Sequence, residues 1–401
     1  MKQMIATAAA LVAAGSAHAA PVTVKALVDA RLRYEHVDQD GFAQNADALI
    51  TRVRAGAQAT VGAWSALVEG QGTLAAVADY DDGLNGPSPR PLVADPQSIG
   101  LYRAQLQYRT KALAVTAGRQ RIVLDDERFV GNVAFRDNAQ TFDAVRVEWS
   151  GVPKLKADVS YAWSVRTIWG VNGTGARQQA VSGDNLLANL AWTTPAGTLT
   201  GFAYLVDQDE AAVQAFRLSS QTYGIRLTGS RPLARDIKLG WQASYARQAD
   251  WHRNPNRYHA NYYLIGATLD IRALRLNAGY EVLGADRGAA FTSFQTPLAT
   301  AFKFQGWADK FIATPPNGVR DLYGGAGYGW KTLGPFEALS VQAVWHRFDS
   351  ARLDLRYGDE IDLLASAKRG RTTVSARYAD YRAKGFANDT RKVWLQLDWT
   401  F

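Results

Sequence analysis

The chain has 401 residues, 47% of them hydrophobic and 11% aromatic, with no cysteine, two methionines and a formal net charge of +8. The absence of cysteine excludes disulfides, thiol catalysis and Cys-based metal sites. Beyond the first twenty residues no run of about 18 apolar residues occurs, so no transmembrane helix is expected.

The N-terminus reads as a secretory signal peptide over 1–19: Lys2 is the basic start, Met4 to Ala14 the apolar stretch, and Ala17-His18-Ala19 the small-residue cleavage site. The mature chain then begins at Ala20, carries no methionine and keeps a formal charge of +7. A basic balance suits nucleic acid, an anionic surface or an anionic solute. Secretion argues against nucleic acid.

From there the pattern is extended throughout. Eighteen stretches alternate apolar and polar residues, at about 22–37, 47–61, 63–77, 98–110, 112–122, 140–150, 154–166, 184–194, 197–208, 215–229, 235–248, 259–270, 272–284, 319–331, 336–349, 356–369, 371–383 and 389–401. Most have the length a tilted membrane-crossing strand needs. Short connections, such as Val61-Gly62-Ala63, Gly151-Val152-Pro153 and Arg369-Gly370, alternate with long ones at about 78–97, 123–139, 167–183, 249–258 and 284–318. Short periplasmic turns and long extracellular loops are how outer-membrane barrels are built. The expected fold is all-β: one antiparallel up-and-down transmembrane barrel of about 18 strands, a single domain over 20–401, in the outer membrane of a Gram-negative cell. The last strand ends on an aromatic, Phe401, the form of C-terminus expected to engage the barrel assembly machinery.

Parity assigns the faces. In the first strand Val28, Ala30, Leu32 and Tyr34 oppose Asp29, Arg31, Arg33 and Glu35; in the second Thr51, Val53 and Ala55 oppose Arg52 and Arg54. Near 102–109, Tyr102, Ala104 and Leu106 oppose Arg103 and Gln105; near 155–166, Tyr161, Trp163 and Val165 oppose Ser164 and Arg166. Arg146, Arg226, Glu281 and Arg377 join the polar side. An Arg or Lys facing lipid costs about 2–4 kcal/mol at the midplane, so the charged side must be the lumen. That lumen is either an ordinary wall balanced by ion pairs or an electropositive channel, for which the planar guanidinium fork suits carboxylates and phosphates. In the last strand Trp394 falls on the lumen side with Lys392, Gln396 and Asp398. It packs against an inserted loop there, or the register shifts.

Two segments carry a family resemblance. One runs from Gly118 to Arg146 and includes Leu124-Asp125-Asp126-Glu127-Arg128-Phe129; the other runs from Phe294 to Tyr323 and includes Phe302-Lys303-Phe304-Gln305-Gly306-Trp307. Both resemble the alginate export family of outer-membrane porins. The resemblance implies an 18-stranded barrel with an arginine-rich pore that passes a polyuronate. The turns here are short, with no long periplasmic gating loop, so a simple diffusion channel stands beside gated polymer export. Within the first segment Arg119, Arg121, Arg128 and Arg136 bracket the acids Asp125 and Asp126. Parity with Leu113 and Val115 would turn Arg119 and Arg121 toward lipid, so a bulge or an early exit from the hydrocarbon is expected. The rest, to about Gln140, either folds inward as a constriction or forms an exposed loop. The second segment is too apolar for a solvated loop. Its Phe302, Phe304, Trp307 and Phe311 are expected to pack at the mouth or in the lumen, with Lys303 and Lys310 adding charge.

Enzyme chemistry finds little support. The mature histidines, His36, His252, His259 and His346, lack metal-ligand spacing, and no G-x-S-x-G is present. The pairs Asp81-Asp82 and Asp125-Asp126 read as solvated or ion-paired carboxylates. No cofactor or metal is expected. The reading is a monomeric, non-enzymatic channel in contact with outer-membrane lipid, passing anionic solutes such as polyuronates or their oligomers. Arg31, Arg33, Arg52, Arg54, Arg103, Arg119, Arg121, Asp125, Asp126, Arg128, Arg136, Arg146, Lys303 and Lys310 are its pore candidates. The alternative is a barrel hydrolase or a non-conducting structural barrel.

Overall fold

A computed structural model describes residues 21–401; the expected signal peptide lies outside the described residues. Eighteen strands follow in order: β1 (Thr23–Gln39), β2 (Ala46–Val61), β3 (Trp64–Asp79), β4 (Ser98–Arg109), β5 (Leu113–Gln120), β6 (Thr141–Trp149), β7 (Leu155–Arg166), β8 (Ala180–Thr194) and β9 (Gly197–Val206). The second half comprises β10 (Ser220–Ala234), β11 (Ile237–Asp250), β12 (His259–Ile271), β13 (Leu274–Leu283), β14 (Val319–Trp330), β15 (Ala338–Asp349), β16 (Arg356–Arg369), β17 (Thr372–Ala383) and β18 (Thr390–Thr400). Each strand pairs antiparallel with the next, and β1 pairs with β18, so the sheet closes on itself. A closed sheet leaves no strand edge unpaired, which is what a strand-built membrane span requires.

Period-two alternation accounts for the wall. Along β1 Arg33, Glu35 and Val37 are buried inside while Leu32 is exposed outside; along β2 Ile50, Arg52 and Arg54 face in and Thr51, Val53 and Ala55 face out. The outer face is an apolar belt of residues such as Leu106, Leu190, Ile265, Leu363 and Leu395. Aromatic side chains flank it. Trp64, Trp192, Tyr328 and Phe401 lie at the short-turn rim; Tyr161, Tyr223, Tyr263 and Trp345 lie toward the long-loop rim.

The strand count holds; some boundaries and faces differ. β8 begins at Ala180 rather than 184. Gly183 lets the strand start earlier, within the stretch read as a long connection, because its φ of +151° and its approach to the Asp207 carbonyl leave no room for a β-carbon. β10 begins at Ser220, not 215, because Gln214, Ala215 and Phe216 take positive φ in a short 3-10 turn. Two of the bulges change faces assigned by parity. Tyr102 is the extra residue in β4 and turns inward, 4% exposed, beside Arg103 instead of opposite it. Trp163 is the extra residue in β7; beyond it Val165 is buried inside and Arg166 faces out.

Candidate functional site

Two long connections enter the barrel instead of capping it. Ile122, Leu124 and Val130 from 121–140, and Phe294, Leu298, Phe302 and Phe311 from 284–318, form one apolar cluster with the wall residues Phe142, Tyr204, Tyr262, Phe348, Tyr381 and Trp394. Both segments are therefore lumen plugs: the second as its apolar and aromatic content led us to expect, the first by folding inward rather than forming an exposed loop. Phe135 and Phe302 stack with centroids 3.5 Å apart, and both meet Trp394 edge-on, at 5.9 and 5.7 Å. The lone aromatic on the polar face of the last strand is thus the floor of the inserted loops. The loops also hold each other: Gly131 N–H donates to Leu298 O at 2.9 Å, and Lys303 Nζ donates to Glu127 Oε1 at 2.9 Å.

Half of the ten candidate arginines serve this docking. Arg33 Nε donates to Gln396 at 2.9 Å, its guanidinium lies 4.2 Å from the Phe135 ring, and its pair with Asp95 spans 3.4 Å. Arg136 pairs with Asp309 at 2.8 Å, Asp95 at 3.3 Å and Glu35 at 3.5 Å. Burial alone would lower the pKa of Arg136; Glu35, Asp95 and Asp309 outweigh it and keep the guanidinium charged. Arg128 is buried against Glu281 and Gln305, at 2.6 and 3.1 Å. Arg54 donates to Gln71 at 2.6 Å and to the Asp137 carbonyl at 3.2 Å, while Arg52 pairs with Asp29. Arg33, Arg52 and Arg54 face the lumen as parity requires, but all these side chains are consumed by inserted loops and neighbouring strands. Lys310, near Lys392, donates to Gln39 at 3.1 Å. Asp125 accepts from Asn189 at 2.9 Å, and Asp126 pairs with Arg226.

Arg119 is not a pore residue. It remains in strand register opposite Asp143 on the outer face, with Nε 2.8 Å from Oδ1, and Arg166 reaches the same carboxylate at 3.3 Å. Parity is kept and no bulge intervenes in β5. The pair sits one residue from the end of β5 at the long-loop rim, where ion pairing offsets the cost of an outward charge. Arg121 follows the strand end and turns in, its guanidinium 5.4 Å from the Tyr102 ring.

Between the loops and the wall lies a cavity of about 560 Å³. Arg31 and Arg377 line one wall; Glu281, Asp321, His346 and Asp362 line another; Phe135, Phe302, Lys303 and Trp307 lean in from the loops. Arg31 is held by Asp398 at 2.9 Å and Asp137 at 3.3 Å. Among the described residues Arg377 makes no ion pair; it donates to Ser375 at 3.3 Å and lies 5.6 Å from the Phe135 ring. Arg103, with Glu69 at 2.6 Å, and Arg146, with Asp158, continue the basic surface outside this cavity.

No protein-family model matches the chain, and no curated protein matches it. Solved structures do. The chain is similar to OccAB4 of Acinetobacter baumannii, with 13% identity, a TM-score of 0.70, and 94% of this chain and 98% of that one covered. It is similar to the outer membrane protein OpdK of Pseudomonas aeruginosa, with 14% identity, TM-score 0.67 and coverage of 94% and 98%, and to OpdQ of the same species, with 16% identity, TM-score 0.64 and the same coverage. The chain shares the fold of these barrels. The alginate-export likeness rests on its two segments alone.

The acidic wall was missed as a unit. Glu360 and Asp362 follow from parity, since Ile361 and Leu363 face out, but nothing local shows that strands β13 to β16 bring them beside Glu281, Asp321 and His346.

Proposed function

We propose that the chain is an outer-membrane channel for small anionic solutes, with its long-loop rim facing outward. The carrying observation is Arg377: a lumen-facing guanidinium without an ion-pair partner, bordering the cavity opposite an acidic wall. A carboxylate entering there meets a guanidinium whose charge no acid among the described residues pairs. The Phe135 ring beside Arg377 suits a carboxylate on a planar or ring-shaped body. OpdK has been solved with vanillate, an aromatic carboxylate. Uronate oligomers, the finer reading from the two family-like segments, carry the same group; a lumen filled by two loops favours short oligomers over a polymer. In planar bilayers under a salt gradient, the reversal potential should show anion preference. Cation preference would overturn the reading.

The tight apolar packing of both loops on Trp394 favours a second reading, a barrel that does not conduct. Absence of any conductance in the same bilayers would support it.

A further inference from the structure

The short-turn rim is basic. Six of its eight turns carry one Lys or Arg each: Lys111, Lys154, Arg235, Arg272, Lys331 and Arg371. Asp236 and Glu337 are the acids in those turns. Lys331 and Arg371 share the ends of β14 to β17 with Arg369, the last residue of β16, which points outward in line with Leu363. All three cations are exposed, and among the described residues no acid pairs with them; Arg371 lies 4.4 Å from the Phe401 ring centroid.

Next to these cations the wall is indented. On the lipid face β14 to β17 form an apolar groove of about 630 Å³. Its floor is alanine: Ala326 pairs with Ala343, and Ala365 with Ala376, in adjoining strands. Leu106, Leu190 and Ile265 fill the belt on other strands. Tyr328 on β14 and Tyr378 on β17 stand at the two sides of the groove. Gln342 and Arg377 also border it, but they belong to the inward face and line the lumen cavity. Arg369 is four residues along β16 from Ala365, about 13 Å at the rise of a strand.

We propose that this face binds one anionic phospholipid of the leaflet on the short-turn side: an acyl chain lies in the groove and the phosphate rests on Lys331, Arg369 and Arg371. An apolar indentation alone would take any acyl chain, and exposed cations alone any anion. Set along the same four strands, the two fit a single ligand with an apolar tail and a charged head. A chain sunk onto alanine gains dispersion contacts on its flanks as well as beneath, where a flat wall offers one side only. Each cation beside a membrane favours an anionic headgroup by about fivefold. A second copy of this chain fits less well. A two-fold contact through the groove would bring the same three cations of both copies to one level, where like charges repel. The site needs the barrel in a membrane and nothing of its lumen, so it stands apart from the channel reading.

The intact barrel in detergent is titrated with dioleoylphosphatidylglycerol and, separately, with dioleoylphosphatidylcholine, and native mass spectra read the bound lipid. One phosphatidylglycerol should bind at least about tenfold more tightly than phosphatidylcholine. Lys331→Gln, Arg369→Gln and Arg371→Gln together should bring that ratio close to one. Lys111→Gln, Lys154→Gln and Arg235→Gln together, on the rim away from the groove, should leave it unchanged. Ala343→Leu with Ala365→Leu fills the groove and should weaken both lipids while keeping the ratio. Equal binding of the two lipids by the intact chain, a preference that both sets of Gln substitutions lose alike, or unchanged binding to the filled groove overturns the site. A dimer that carries neither lipid also overturns it and gives the groove to a second copy.

Discussion

Arg128 and Glu281 meet inside the barrel with Nε 2.6 Å from Oε1, their side chains 3% and 4% exposed. The pair ties the loop after β5 to the wall at β13, and Gln305 of the second loop binds both partners. Removing one partner strands a buried charge, at a cost of about 3–5 kcal/mol. Arg128→Met should lower the thermal unfolding temperature, and adding Glu281→Gln should restore most of the loss. Unfolding curves of the two variants and the intact chain check this; an unchanged Arg128→Met curve counts against the tie.

Trp394 is fully buried beneath Phe302 and Phe135. Trp394→Ala leaves a cavity under both loops and should cost about 3–5 kcal/mol. The loops should then fluctuate, seen as added open-channel noise in bilayer recordings beside the lowered melting temperature. Quiet recordings at unchanged stability would show that the loops do not rest on this ring.

The arginines should separate into two groups. Arg377→Gln should lower the anion-to-cation permeability ratio, roughly severalfold, because its charge is unpaired and near the passage. Arg119→Gln should leave the ratio unchanged, because that charge is outside the barrel and paired with Asp143. Arg33→Gln should reduce stability more than selectivity, since its donors are taken by Gln396, Asp95 and the Phe135 carbonyl. Equal shifts in reversal potential for all three would contradict the assignment.

Asp95, in the loop between β3 and β4, supplies a pH signature. Burial, with Asp137 alongside, pushes its carboxyl up to about 6 although Arg136 and Arg33 pull the other way. A folded-state pKa above the unfolded value means the folded chain holds the proton more tightly. The associated stability is complete below the ordinary carboxylate range, near pH 4, and is lost as pH rises through about 6. Melting temperatures of the intact chain and Asp95→Asn should therefore diverge in favour of the variant between about pH 4 and about pH 7. A constant difference across that range would remove Asp95 from the account.

The barrel was legible because lipid on one side and charge on the other impose a strict period of two, and eighteen such stretches leave few other folds. Tyr102 and Val165 were misplaced because a bulge inserts one residue without any compositional mark. The lumen arginines were found, but not their employment. Asp95, Asp137 and Asp309, the acids that bind Arg33, Arg31 and Arg136, come from loops whose paths no local pattern encodes. The acidic wall was hidden for a related reason: each carboxylate is an ordinary inward residue on its own strand, and only closure of the sheet assembles them.

One consequence concerns the seam where β1 meets β18. Arg31 and Arg33 on β1 reach across it to Asp398 and Gln396, and the same two guanidinium groups bind the carbonyl of Phe135 in the inserted segment. That segment is thus a clasp over the joint between the chain's first and last strands. Pulling it out whole would loosen the closure of the cylinder itself. Deleting the segment should give a barrel that is slow to zip shut, rather than simply a wider hole.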